Sequence, residues 1–195
     1  LNSRRQDLVE KIMEEAVARA EQQLDKKILV LSGRDWSVGV AGLVANRLAE
    51  RFGRPVIVLE EGEEILRGSG RSIEGVDLHR LVQEASPFLE SFGGHKGAIG
   101  LSLKRENFAA FQKELWQKAS CIPDSLFEPS LFLDEELMLT ELTPEIFEAL
   151  SRLKPYGLGN EEPIFWLKGI KISEAISIDG QRGPHLKLWF TNLRL

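Results

Sequence analysis

Between residues 4 and 24 the chain sets Leu8, Ile12, Ala16, Ala20 and Leu24 at four-residue steps among charged neighbours, the pattern of an amphipathic helix. KILVLSG (27–33) then runs apolar without interruption and stops at glycine, which predicts a buried strand. Helical spacing returns over 39–52, with Val40, Leu43, Val44, Leu48 and Phe52, and Gly53 and Pro55 end it. PVIVLEE predicts a second strand, EEILRGSGRS a third, VDLHRLVQEASPFLESF a helix interrupted near Pro87, and AIGLSLKR a fourth strand. Residues 106–119 predict a closing helix with Phe108, Phe111, Leu115 and Ala119 along one side. Strands alternating with helices imply an α/β domain, a mixed sheet flanked by helices.

Beyond that domain the pattern changes. CIPDSLFEPS carries two prolines and reads as a linker, and LFLDEELML reads as a strand. TPEIFEALSRLKPYG predicts a short helix with Thr143 as cap and Pro144 just inside it. GIKISEAISI and HLKLWF complete a β-rich tail. The expected organisation is a connector helix over 1–24, an α/β domain over 25–120 and a partial β-rich region over 121–195. The chain starts at Leu1 and stops in a strand with no closing element, so it reads as a piece of a longer protein. There is no internal repeat and no low-complexity tract.

Composition narrows the class. With 43% hydrophobic and 28% charged residues the chain has the means to fold, which excludes a disordered tail. No apolar run approaches the roughly 20 residues of a membrane span, and residues 1–22 are too charged for a signal peptide. No membrane partner is expected. The single cysteine, Cys121, excludes an internal disulfide framework and fits the cytoplasm. Three scattered histidines give no zinc-ligand spacing. The net charge of −5 argues against a basic surface overall, but Arg67–Arg105 holds six Lys or Arg against four Asp or Glu. That leaves +2 locally and −7 elsewhere.

Two glycine-rich stretches carry the candidate chemistry. In GSGRSI (68–73), Gly70 permits close backbone approach, Ser69 and Ser72 offer hydroxyls, and Arg71 offers a planar charged fork suited to phosphate. A plain turn with a solvated arginine is the competing reading. In GGHKG (93–97), Gly93 and Gly94 expose backbone N–H groups, His95 donates from imidazole and Lys96 adds a point charge. Here the competitor is a tight turn tied by the histidine. Both stretches border strands of one sheet, so their convergence would make an anion-binding cleft. DWSVGVAGLVANR (35–47) offers a helix N-terminus to an anion, although Trp36 reads better as a core or rim aromatic. Asp35, Asp77, Asp134 and Asp179 stand isolated, so no catalytic residue and no metal site is expected here. Cys121 has no base placed to activate it.

In series, LNSRRQ, DWSVGVAGLVANRL, GSGRSIEGVDL, FGGHKGAIGLSL and LKPYGLGNEEPIF resemble the second half of the bacterial RecJ-type single-strand-specific exonucleases, a DHHA1 domain followed by an oligonucleotide-binding (OB) domain. The tail would then be an incomplete OB-like segment. The resemblance implies an upstream DHH domain of the same chain holding two divalent metals, manganese or magnesium. It also implies 5′-to-3′ hydrolysis of single-stranded DNA in repair and recombination, with repair proteins as possible partners. By position, Ser69, Gly70, Arg71, Ser72, Gly93, Gly94, His95 and Lys96 become the substrate-side residues, and the segment alone should be inactive. One departure is Ser37, where the family commonly has histidine in W-H-x-G-V. Two alternatives stand beside this reading. One is a DHH–DHHA1 phosphodiesterase acting on short oligoribonucleotides or cyclic dinucleotides, and the other is a non-enzymatic docking module.

Overall fold

The computed structural model describes residues 2–128, 131–157, 159–180 and 183–190. The chain divides into two units, Leu1–Pro129 and Ser130–Leu195. The first runs α1 (Asn2–Glu21), β1 (Leu29–Gly33), α2 (Val38–Phe52), β2 (Val56–Glu61), β3 (Ile65–Arg71), α3 (Leu78–Glu84), β4 (Ser91–His95), β5 (Ala98–Lys104) and α4 (Phe108–Ala119). Its five strands form one sheet in the order β1-β2-β3-β5-β4. β1 and β2 are parallel, joined by the α2 crossover, and the remaining pairs are antiparallel.

Burial along the strands follows from what covers them. Leu29, Val30, Leu31 and Val56–Leu59 are buried without alternation, because β1 and β2 are sandwiched from both sides. On one side α1 and α2 bury Leu29, Leu31, Val56 and Val58, with Val9, Ile12, Ala16 and Ala20 supplied by α1. On the other, α3 and α4 bury Val30, Ile57, Leu59, Leu66, Leu101 and Leu103. β3 and β5 instead alternate residue by residue, their second face being only partly covered, by α2 over β3. The four-residue apolar steps of α1 are thus accounted for by the core of this unit, although Leu24, expected on the same stripe, is exposed. Gly53, left-handed at φ 60°, ends α2 with its N–H on the Ala49 carbonyl.

The run 76–92 departs from the helix expected of it. α3 ends at Glu84, a 3-10 turn follows at Ser86–Phe88, and from Ser91 the chain is strand. Pro87 has no N–H to continue the helix, and β4 pairs with β5 from Ser91↔Ser102 to His95↔Ala98. The GGHKG stretch, read as bordering a strand, is therefore itself the end of an edge strand plus a hairpin turn. After α4 the start of the linker is fastened to this unit. Lys27 meets Asp124 at 2.8 Å and donates to the Ser120 carbonyl at 3.3 Å, and Arg54 lies 5.6 Å from the Phe127 ring centre.

In the second unit the expected strand LFLDEELML shrinks to β6 (Glu135–Leu137), paired in parallel with β7 (Phe165–Leu167), which the pattern did not reveal. α5 spans Pro144–Ser151 with Pro144 in its first turn. Thr143 holds the cap position but makes no side-chain cap bond. Its hydroxyl serves Glu145 instead, which holds that carboxyl below its ordinary range. β8 (Ile172–Gly180) and β9 (Gly183–Phe190) form an antiparallel pair.

Candidate nucleic-acid interface

The pairing of β3, β5 and β4 brings the two glycine stretches together. In register across the sheet, Arg71 stands opposite Ala98 and Ala98 opposite His95. One step along, Ser69, Gly100 and Gly93 form a second row, and Arg67, Ser102 and Ser91 a third. Directly paired residues share a face, so all nine project to the side on which α1 and α2 lie. α2 packs over β3 as well as β2, leaving Ser69 and Arg71 half-buried, and the face is uncovered over β5 and β4. Arg71 and His95 are two strand spacings apart, about 9.5 Å between backbones. The middle row is a floor with almost no side chains.

The glycines divide by face. Gly93 and Gly100 lie on the open side, where a Cβ at Gly93 would meet nothing within 4 Å and one at Gly100 only the Gly68 carbonyl at 3.9 Å. Internal packing does not require either to be bare. Gly70 and Gly94 point the other way. A Cβ at Gly70 would stand 2.9 Å from Ile99 and Leu78, and at Gly94, with φ 138°, 2.2 Å from the Ala98 carbonyl oxygen. Those two glycines serve the core and the hairpin, while Gly93 belongs to the exposed floor.

The polar groups are also sorted. Arg71 Nη1 donates to the Gly70 carbonyl at 2.8 Å, one of five donors the fork has. The Gly97 N–H donates to His95 Nδ1 at 3.2 Å, which assigns the imidazole proton to Nε2 and leaves that nitrogen as an outward donor. Ser72 acts within the framework: its hydroxyl donates to the Val76 carbonyl at 2.7 Å and its N–H to the Gly97 carbonyl at 3.0 Å. Lys96 sits in the hairpin turn, its carbonyl taking the Leu78 N–H at 3.0 Å. With Ser72, Glu74, Asp77 and Gly97 it lines a cavity of about 410 Å³ beside the Arg71 end of the floor. Arg67, Ser102 and Ser91 were missed by motif reading. Their signal was the alternation Arg67, Ser69, Arg71 at two-residue steps on β3. Ser91 and Ser102 hydroxyls bond each other at 2.7 Å.

The start of α2 takes a different part. Its first N–H, of Val38, faces the Glu60 carboxylate at 3.4 Å, so this helix end is already served by an anion of the protein. Ser37 makes no side-chain cap bond. Trp36 is a core aromatic, 2% exposed, whose Nε1–H donates to Glu15 at 2.9 Å, with the Arg19 guanidinium 5.2 Å from its ring centre. That hydrogen bond, with lesser help from the charges of Arg19 and Lys11, holds the Glu15 carboxyl below its usual range against the opposing effect of burial. The P-Y-G-x-G-N stretch is a self-bonded loop: Tyr156 donates to the Leu150 carbonyl at 2.7 Å, and the Asn160 amide donates to those of Leu153 and Pro155 at 2.8 and 3.0 Å. Cys121 is exposed and makes no disulfide. Among the described residues no group of three or more His, Cys, Asp or Glu is placed to hold a metal ion, and no helix is long and apolar enough to cross a membrane.

A mixed sheet with this open, glycine-floored face, followed by a β-rich unit, defines the class, and the chain belongs to the DHHA1 domain family, which matches residues 7–120. The RecJ OB domain family matches residues 133–194. The single-stranded-DNA-specific exonuclease RecJ of Bacillus subtilis is 34% identical over 98% of this chain and 25% of its own length. RecJ of Thermus thermophilus is 34% identical over 87% of this chain and 24% of its own length. The crystal structure of the Thermus thermophilus RecJ in complex with Mg2+ superposes with a TM-score of 0.80 at 32% identity, covering 96% of this chain and 29% of that one. A second structure of that protein, with Mn2+, gives 0.79 at 31% identity and covers 96% of this chain and 28% of that one. The chain thus spans about a quarter of the length of the curated relatives it matches. The α/β fold and the RecJ resemblance read from the sequence both hold.

Proposed function

We propose that this chain is the strand-holding part of a RecJ-type exonuclease that degrades single-stranded DNA from the 5′ end in the cytoplasm. The observation that carries the reading is the row Arg71–Ala98–His95 beside the bare floor of Gly93 and Gly100, on a face that α2 borders at Arg71 and that is exposed at His95, Gly93 and Gly100. A phosphate on that floor meets a guanidinium on one side and an imidazole N–H on the other, while the missing side chains admit sugar and backbone at contact distance. Arg67 extends positive charge two rows further along β3. Such contacts grip the backbone without reading bases, as an enzyme that must move along any sequence requires.

The described residues do not fit a metal pair, so no hydrolytic step is assigned to them. In the whole enzyme the two divalent metals would supply the activated water from the DHH domain. The role of this chain is to hold the strand in place for it. The RecJ OB match over 133–194 favours a DNA exonuclease over a short-oligonucleotide phosphodiesterase.

The test is binding of a fluorescent 12-nucleotide single strand, with and without a 5′-phosphate, at low and moderate salt. Arg71→Ala and His95→Ala should each weaken binding about tenfold, and Arg71→Ala should lower the salt slope by about 1. Binding that neither substitution changes would remove the open face as the strand site.

A further inference from the structure

α2 fills almost every inward position with a side chain: Val40, Ala41, Val44, Ala45, Leu48 and Ala49 are all buried. Gly42, half-buried and inside the helix, is the exception. Glycine is the poorest helix former after proline, so a place in the interior of a helix calls for a reason. The reason is legible in what surrounds it. A Cβ at Gly42 would stand 2.8 Å from Nη2, 3.4 Å from Cζ and 3.6 Å from Nη1 of Arg71, three atoms of one guanidinium. Gly39, one turn earlier, has only the Ser37 Oγ near its Cβ position, at 3.6 Å. The notch at Gly42 is filled by Arg71 and the space at Gly39 is not needed.

We infer that Gly42 is a positioning residue for Arg71: its missing side chain forms the berth in which the guanidinium rests against α2 before any strand arrives. The Gly70 carbonyl fixes one corner of the fork through Nη1, and the bare helix surface holds the other. A long, rotamer-rich side chain is thereby ordered in advance, and the ordering cost that would otherwise be charged to binding is reduced. The helix that packs over β2 and β3 thus sets the geometry at the edge of the open floor. This inference rests on the reading of Arg71 as a phosphate donor.

The experiment is a double-mutant cycle on the 195-residue chain with Gly42→Ala, Arg71→Ala and the pair. The probe is a 5′-phosphorylated dT12 strand, read by fluorescence anisotropy at low salt, with a thermal melt of each variant. Gly42→Ala should weaken binding by about 3- to 10-fold while its melting temperature stays level or rises, since alanine is the better helix former. In the Arg71→Ala background the same change should cost nothing further. Two results would overturn the inference: unchanged affinity in Gly42→Ala while Arg71→Ala binds weakly, or a Gly42→Ala loss that adds fully to that of Arg71→Ala. If Arg71→Ala itself binds like the unsubstituted chain, or the unsubstituted chain does not bind, the underlying reading of the open face fails instead.

Discussion

One face of the five-stranded sheet has two unlike halves. Over β1 and β2, α1 and α2 bury Leu29, Leu31, Val56 and Val58. Over β3, β5 and β4 the same face carries Arg67, Ser69, Arg71, Ser91, Gly93, His95, Gly100 and Ser102, with α2 packed over β3 and half-burying Ser69 and Arg71, and β5 and β4 uncovered. The two outer edges differ in the same sense. At β1 the Gln23 amide both donates to the Val30 carbonyl at 3.1 Å and accepts its N–H at 3.0 Å, and Gln112 donates to that carbonyl at 2.9 Å. Arg19 closes the Ser32 carbonyl. β4 has no such side-chain closure among the described residues, and its five residues end in the hairpin that carries His95. A free edge is ordinarily a liability that a protein blocks, so a sheet that blocks one edge and leaves the other, which carries His95, bare has divided its work. One half supplies stability and the other a surface.

Glycine substitutions put that division under strain, and the largest effect belongs to the core-facing set. A Cβ at Gly68 would stand 1.9 Å from the Val58 carbonyl oxygen and 2.8 Å from the Leu59 Cα, both backbone atoms of the neighbouring strand. Neither can swing aside as a side-chain tip can. Gly68→Ala should cost about 3 kcal/mol or more, a fall in melting temperature on the order of 10 °C, measured by circular dichroism. A melt within about 2 °C of the unsubstituted chain would show that β2 and β3 are not packed as tightly as their register implies.

On the open side the same residue type should behave in the opposite way. Gly93→Val places its side chain where nothing lies within 4 Å of the Cβ. Stability should move by no more than about 0.5 kcal/mol. Affinity for a single strand should fall about tenfold, the equivalent of roughly 1.4 kcal/mol, because the branched chain stands on the floor one row from His95 and Arg71. Equal affinity in the valine variant would mean that the strand does not cross this row. A large loss of stability would erase the contrast between the halves altogether.

Much of this architecture was legible in the sequence, for physical reasons that differ by element. β1 and β2 announce themselves as unbroken apolar runs because both faces are covered, and α2 by its spacing and its Gly53 stop. β4 was hidden. Phe92 is its one large apolar residue, and with so many small neighbours no alternation survives to be counted. β7 is too short, at three residues, to show a period. At the site, motif reading placed GSGRS and GGHKG at the borders of strands of one sheet, whereas Gly68, Gly70, Gly93 and Gly94 lie inside β3 and β4. It had no means of telling Gly93, on the floor, from Gly70, which faces the core, and Gly94, which serves the hairpin, because that depends on strand register. Ser72 looked like a phosphate hydroxyl and is occupied by Val76. Arg67 and Ser102 were passed over because polar alternation on a bare face reads as ordinary solvent exposure.

The smallest expected effect tests whether the covered half holds together by its own electrostatics. Glu15 on α1 accepts from Trp36 Nε1 at 2.9 Å and from Arg19 at 2.5 Å, and its carboxyl is held below the ordinary value of 4.5. A depressed folded-state value stabilises the fold above 4.5, and that stability is lost as the pH falls through the folded value. Because the Glu15 side chain is 49% exposed, solvent screens the interaction and its worth should stay under about 1 kcal/mol. Glu15→Gln keeps an oxygen for Trp36 but removes the charge. It should therefore melt slightly below the unsubstituted chain near neutral pH, and the gap should shrink in acid, as the carboxyl takes up its proton. A gap of unchanged size in acid would assign the effect to packing around Trp36 and not to charge. Strand binding at neutral pH should be the same in both proteins, since Glu15 belongs to the half of the sheet that the helices cover and touches none of the residues that line the floor.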